Sequence, residues 1–545
     1  MAYEHVDIVE GQLVDLHRRS VYGARIRISD GAIASLERIE SAPARFILSG
    51  FVDAHVHIES SMLTPVQFAR LAVVHGTVAT VSDPHEIGNV LGVEGVEFMI
   101  DDGNRTPFKF YFGAPSCVPA TPFETAGAMI DCSDVERLLS REDVVYLAEM
   151  MNWPGVLNDD AVVAEKIRIA HRLKKPVDGH APGLRGAQAA LYVAAGITTD
   201  HESFELGEAR DKIRAGMKII IREGSAARNF EDLHPLIAES PESVMFCSDD
   251  KHPDELVVGH INRLVGRALA LGYDMYDVLR AACLNPVEHY GLDVGMLRDG
   301  DPADFIIVDS LESFDVQQTV IGGRVVADAG RSCIPDLRSG RPNRFSRERV
   351  EATDFELAAE SDTMRVIEAL DGQLVTKAVN LPVTRAAGLA VADPSTDVLK
   401  LAVVNRYKNT EPVIAFIRNF GLRRGAIASS VAHDSHNIIA VGVDDESLAA
   451  AVNLIITHKG GVSAVDGPAE RVLPLPVAGL MSDGDGYEIA AAYTAIDAMA
   501  KDMGSTLRSP FMTLSFMALL VIPELKLSDL GLFHGQKFEF VDVFV

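Results

Sequence analysis

The sequence predicts an α/β fold: a (β/α)8 TIM-type barrel inserted into a small β-sandwich and followed by an α+β domain. Three observations carry this. Eight short, β-rich apolar runs alternate with stretches of helical periodicity between residues 46 and 250. Histidines and carboxylates recur at the C-terminal ends of those runs, where such barrels keep their chemistry. Strand-and-turn text lies on both sides of the alternation.

Residues 1–48 read as strands and hairpins, because apolar residues recur with period two between glycine and aspartate turns. The barrel is expected over residues 49–290. Its runs are 46–56, 77–82, 108–113, 144–149, 176–180, 197–201, 218–222 and 244–248, with helices such as 65–75 and 161–173 between them. Residues 291–337 return to strands and turns and complete the first β structure. The polar stretch 338–349 reads as a linker. Residues 350–545 form the further α+β domain, with strands near 400–404 and 437–443 and helices over 446–458 and 487–503.

The chain has 545 residues, 48% hydrophobic and 23% charged, which is ordinary globular composition. A net charge of −28 speaks against a nucleic-acid partner and against an anionic membrane surface. The five cysteines form no C-x-x-C pair, so neither a disulfide framework nor a thiolate metal site is expected. The N-terminus lacks an apolar signal core, and the longest apolar stretch, 511–522, is too short to span a bilayer. A cytoplasmic protein is expected.

The run ends are specific. In His55-x-His57 the two imidazoles project to one side of a strand, since side chains at i and i+2 point the same way. Alone, the pair would read as two histidines on a half-buried strand. The second run ends in Asp83-Pro-His85-Glu86, the fourth in Glu149, the fifth in His180, the sixth in His201 and the eighth in Asp249-Asp250. Six of eight ends carrying such groups predicts a metal site at the barrel mouth. His433-Asp434-x-His436 in the last domain reads either as a polar loop or as a lid or extra ion site over that mouth.

At His55, His57, Glu149, His180, His201 and Asp249 the chain resembles the amidohydrolase superfamily. Within it the residues 49–62, 82–87, 178–182, 199–202, 248–250, 431–437 and 525–531 resemble the adenine deaminase family, so the resemblance spans nearly the whole chain.

The resemblance implies hydrolysis of adenine to hypoxanthine and ammonia, as in purine salvage, by a hydroxide bridging two divalent ions and attacking C6. Manganese or iron is expected, and zinc also suits the donors. His55, His57 and Asp249 would hold one ion and His180 and His201 the other. Glu149 would bridge them, where many relatives use a carboxylated lysine. Asp249 would also shuttle the proton. Glu223, His85 and Glu86 are candidates for protonating the ring nitrogen, and Glu86, Ser225 and Asp83 for binding the base. A homo-oligomer, dimer or larger, is expected. The rivals are an amidohydrolase acting on another aminopurine or a cyclic amide, an adenosine-type deaminase, and a non-catalytic metal-binding scaffold. Ammonia release from a purine panel and metal analysis separate them.

Overall fold

The computed structural model describes residues 3–312 and 314–545. The flanking segments meet in one eight-stranded sheet, in which Phe46–Ser49 pairs in parallel with Ile8–Asp15 and antiparallel with Phe305–Val308. Val9, Leu13, Ile26, Ile47, Phe305 and Val320 form its own core. The single run expected over 46–56 is therefore two strands. Phe46–Ser49 belongs to the flanking sheet, and only Phe51–Val56 joins the parallel sheet. Gly50 marks the crossing: a Cβ there would collide with Val78 on the neighbouring strand.

Phe51–Val56, Thr77–Ser82, Lys109–Ala114, Val144–Met150 and Val177–Gly179 form a parallel five-stranded sheet. Thr199–Asp200, Lys218–Arg222 and Val244–Cys247 form a parallel three-stranded one. Parallel bridges link the two sheets at both seams, Val177 to Ile197 and Val56 to Asp249. Helices including Pro65–Ala72, Val93–Gly103, Ala161–Arg172 and Leu206–Ala215 separate the strands. Most of these strands are buried along their length, which explains runs without polar alternation.

The last region centres on a second eight-stranded, mostly antiparallel sheet. Its central strands are buried on both faces, and period two sorts their side chains into two layers. From Val398–Val404, Leu399, Leu401 and Val403 face the large core shared with the parallel sheets, whereas Ala402 and Val404 face the Asp445–His458 helix. Ile427, Ile439 and Val441 join the first layer, and Ala426, Ile438 and Ala440 the second. Asp444 and Asp485 cap the two long helices, Asp445–His458 and Gly486–Asp502. The segment read as a linker has no regular secondary structure through 338–349. It is tied down by Arg338 to the Asp483 carbonyl at 2.9 Å and Ser339 to Asp102 at 2.6 Å.

Candidate active site

Two imidazoles leave the end of the first parallel strand side by side. His55 and His57 are buried, with their Nε2 atoms 3.1 Å apart. His57 Nδ1 lies 3.2 Å from the Asp83 carbonyl. Its Nε2 faces two carboxylates, Glu149 Oε1 at 3.3 Å and Asp249 Oδ1 at 3.5 Å, the latter also 3.7 Å from His55 Nε2. The second Glu149 oxygen turns the other way, with Oε2 2.7 Å from His180 Nδ1 and 3.2 Å from His201 Nε2. One carboxylate thus touches two separate sets of imidazoles.

The donor atoms of His55, His57 and Asp249 lie within 4.8 Å of one another, as do those of His55, Glu149 and His201, and those of His57, Asp83, His85 and Glu149. His180 Nε2 is buried without a hydrogen-bond partner. Buried acceptors crowded in this way repel unless a cation lies among them. Imidazole and carboxylate donors without thiolate fit a divalent transition ion.

The electrostatics divide the cluster. Burial opposes charge on His57, His180 and His201, but Glu149 outweighs it at His57 and His201, and Glu202 with Glu149 at His180, so these three imidazoles are raised above their usual value. His55, Glu149 and Asp249 are instead held in ligand form. Burial first, then the neighbouring His201 and His57, push His55 well below its usual range, so it is a neutral donor. Burial would raise the Glu149 carboxyl, but His180 and the hydrogen bonds from His180, His201 and His57 hold it well below the usual carboxylate range. Burial likewise opposes ionisation of Asp249, and Arg222, then His201, outweigh it. Asp249 has φ +53°, an uncommon conformation for a non-glycine residue, and its N–H donates to the His55 carbonyl at 3.0 Å. Asp53 supports this seam, accepting the Ser248 N–H at 3.0 Å and lying 2.8 Å from His260.

The last domain closes the mouth. Leu374, His433, Asp434, Phe516 and Leu519 line, with the cluster, a narrow cavity. Both oxygens of Glu86 are held from that side, Oε1 by His433 Nδ1 at 2.5 Å and Oε2 by His436 Nε2. His85 stands between, with Nδ1 3.1 Å from Asp83 Oδ2 and Nε2 3.3 Å from Glu86 Oε1.

Two expected residues are not brought to the cluster. Glu223 pairs with Arg267 at 2.6 Å and lines a separate surface cleft with Arg228, Lys251 and Arg263. Ser225 does not line the cavity either; its N–H donates to the Asp250 carbonyl at 2.8 Å and its hydroxyl accepts the His252 N–H at 2.9 Å. Conversely, Glu202, Arg222, Phe516 and Leu374 had no expected role. Arg222 donates to Asp249 Oδ2 at 2.7 Å and to Glu202 Oε2 at 2.8 Å. It ends the seventh run, so the run-end pattern pointed to it. Phe516 lies in an apolar stretch that carries no such signal.

The sequence model of the amidohydrolase family matches residues 46–326, and that of the adenine deaminase C-terminal domain matches residues 373–539. An adenine deaminase of Salinibacter ruber is 58% identical, over 98% of this chain and 99% of that protein. The chain belongs to the adenine deaminase family. Adenine deaminases of Sulfurovum sp. and Borreliella burgdorferi are 54% and 46% identical over 98% of this chain and 99% of each of them. Among solved structures, a beta-aspartyl dipeptidase of Fervidobacterium islandicum has a TM-score of 0.46 at 14% identity, covering 60% of this chain and 98% of that one. In this adenine deaminase-family chain the two matched regions meet at the Glu86–His433 contact. Its amidohydrolase part and buried His, Asp and Glu cluster support a divalent metal cofactor. Among the described residues no helix is long and apolar enough to cross a membrane.

Proposed function

We propose that the chain hydrolyses adenine to hypoxanthine and ammonia, on a (β/α)8 barrel flanked by a β-sandwich and roofed by the C-terminal α+β domain. The observation that carries this is Glu149, whose two oxygens are divided between His57 on one side and His180 and His201 on the other. We assign His55, His57 and Asp249 to one divalent ion, His180 and His201 to a second, and Glu149 to both; manganese, iron and zinc all suit these donors. Bound there, the ions supply a water activated at neutral pH.

The chain's own groups then move the protons. Asp249, with Oδ1 towards the cluster and Oδ2 on Arg222, takes the water proton and delivers it to the departing amine. Glu86 has both oxygens engaged as acceptors, and Glu223 lies elsewhere. That leaves His85, backed by Asp83, as the donor to the ring nitrogen. Leu374, Phe516, Leu519 and Met151 supply the apolar wall for the base.

Steady-state ammonia release from adenine and a purine panel, with manganese or iron added, tests the reading beside Glu149→Gln. Turnover of adenine by the wild type, lost by at least about 100-fold in the variant, is expected. Equal activity in the two proteins would overturn the role of Glu149. Release from another purine but not adenine would overturn the substrate.

A further inference from the structure

The roof contributes two polar atoms with no partner in the protein. Asp434 Oδ2 and His433 Nε2 are buried and unpaired, and both residues line the cavity. The other Asp434 oxygen, Oδ1, lies 3.8 Å from His85 Nε2, and His85 Nδ1 lies 3.5 Å from Glu149 Oε1. The imidazole of His85 thus lies between Asp434 and the cluster, and Asp434 borders the same cavity. Phe516 stacks on His433 with centroids 4.7 Å apart and planes 18° apart, and both line the cavity with Asp434. A buried acceptor without a donor costs free energy until a ligand supplies one. A base placed with its amino-bearing carbon at the cluster turns its five-membered ring away from it, towards the roof.

We propose that Asp434 determines specificity: its Oδ2 accepts the imidazole-ring N–H of a free aminopurine, a hydrogen that N9-substituted bases and nucleosides lack. The inference rests on the deaminase reading above and deepens it to a substrate class. It gives His433-Asp434-x-His436 two tasks, with the histidines fixing Glu86 and the aspartate reading the base. A substituent at N9 would remove the donor, leave Oδ2 unpaired and enter the wall formed by Phe516 and Leu519.

The test is the ratio of kcat/KM for adenine to that for 9-methyladenine, in the metal-loaded wild type, Asp434→Ala and Asp434→Asn. The ratio is independent of the fraction of active protein, so partial misfolding or metal loss does not imitate the effect. The wild type is expected to favour adenine by about 10³-fold or more. In Asp434→Ala the value for adenine should fall by about 100-fold, mainly through KM, while that for 9-methyladenine holds or rises. Asp434→Asn keeps the shape and carries the comparison should the alanine variant not fold. An unchanged ratio in both variants would overturn the role of Asp434 and leave the deaminase reading standing. A wild type that releases no ammonia from adenine would overturn both.

Discussion

His433 Nδ1 stands 2.5 Å from Glu86 Oε1, although 347 residues of chain separate the two. With His436 on the other oxygen, the C-terminal domain grips a side chain that the parallel sheet presents. Burial opposes the charge on Glu86, and His433 and then His436 outweigh it, holding the carboxyl well below its usual range. His436 is fully buried and does not line the cavity. Its removal leaves a buried carboxylate short of a partner. His436→Ala should therefore cost about 1–3 kcal/mol of stability and at least tenfold in kcat/KM. Thermal melts and steady-state kinetics check it, and an unchanged melting temperature would show the grip to be dispensable.

Arg222 is the counterpart on the far side of the cluster. It is 1% exposed and its guanidinium spans Asp249 and Glu202. Arg222→Lys keeps the charge but not the planar fork. We expect a fall of about 10–100-fold in kcat or in metal affinity for lysine, and a larger fall for Arg222→Met. Metal content at graded free manganese separates the two effects.

Lys526 gives a pH dependence away from the cluster. It is fully buried and donates to the carbonyls of Leu374 at 2.6 Å and Phe516 at 2.8 Å, two residues of the cavity wall. Two acceptors match the two hydrogens of a neutral amine. Burial lowers its pKa from 10.5 to about 7. Between those values the unfolded chain binds the extra proton, so stability rises with pH from about 7 towards 10.5, by up to about 1.4 kcal/mol per unit. The penalty of charging Lys526 is fully present below about pH 7. Denaturant unfolding at pH 7 and 9 should show this gain in the wild type and lose it in Lys526→Met.

Metal removal should act on folding as well as turnover, because the proposed ligands come from separate strands. Dialysis against a chelator should abolish ammonia release and lower the melting temperature, by the equivalent of about 2.7 kcal/mol for metal at 100 times its dissociation constant. Added manganese or iron should restore both. Loss of activity with no change in melting would count against ligation by the folded cluster.

Much of this architecture was legible in the chain. The parallel strands announce themselves because strands buried on both faces need unbroken apolar runs, and His55, Glu149, His180, His201 and Asp249 each lie within two residues of a strand's C-terminal end. Run length misled only where two sheets meet: Phe46–Ser49 and Phe51–Val56 are both buried, so a single glycine is all that marks the change of sheet. Glu223 was a candidate for protonating the ring nitrogen, but it lines a surface cleft and pairs with Arg267. The roof was the hardest part to read. Phe516 and Leu374 reach the cavity only through the packing of the C-terminal sheet on the parallel strands, and no local pattern records a contact between residues so far apart. The polar motif at 433–436 was visible, but its partner Glu86 was not.

Anomalous diffraction at the manganese edge, on crystals of the manganese-loaded protein, is the sharpest test of the proposal that Glu149 joins two cations. Two peaks flanking Glu149 are expected, one within bonding distance of His55, His57 and Asp249 and the other of His180 and His201. A single peak, or peaks that do not touch Glu149, would contradict it.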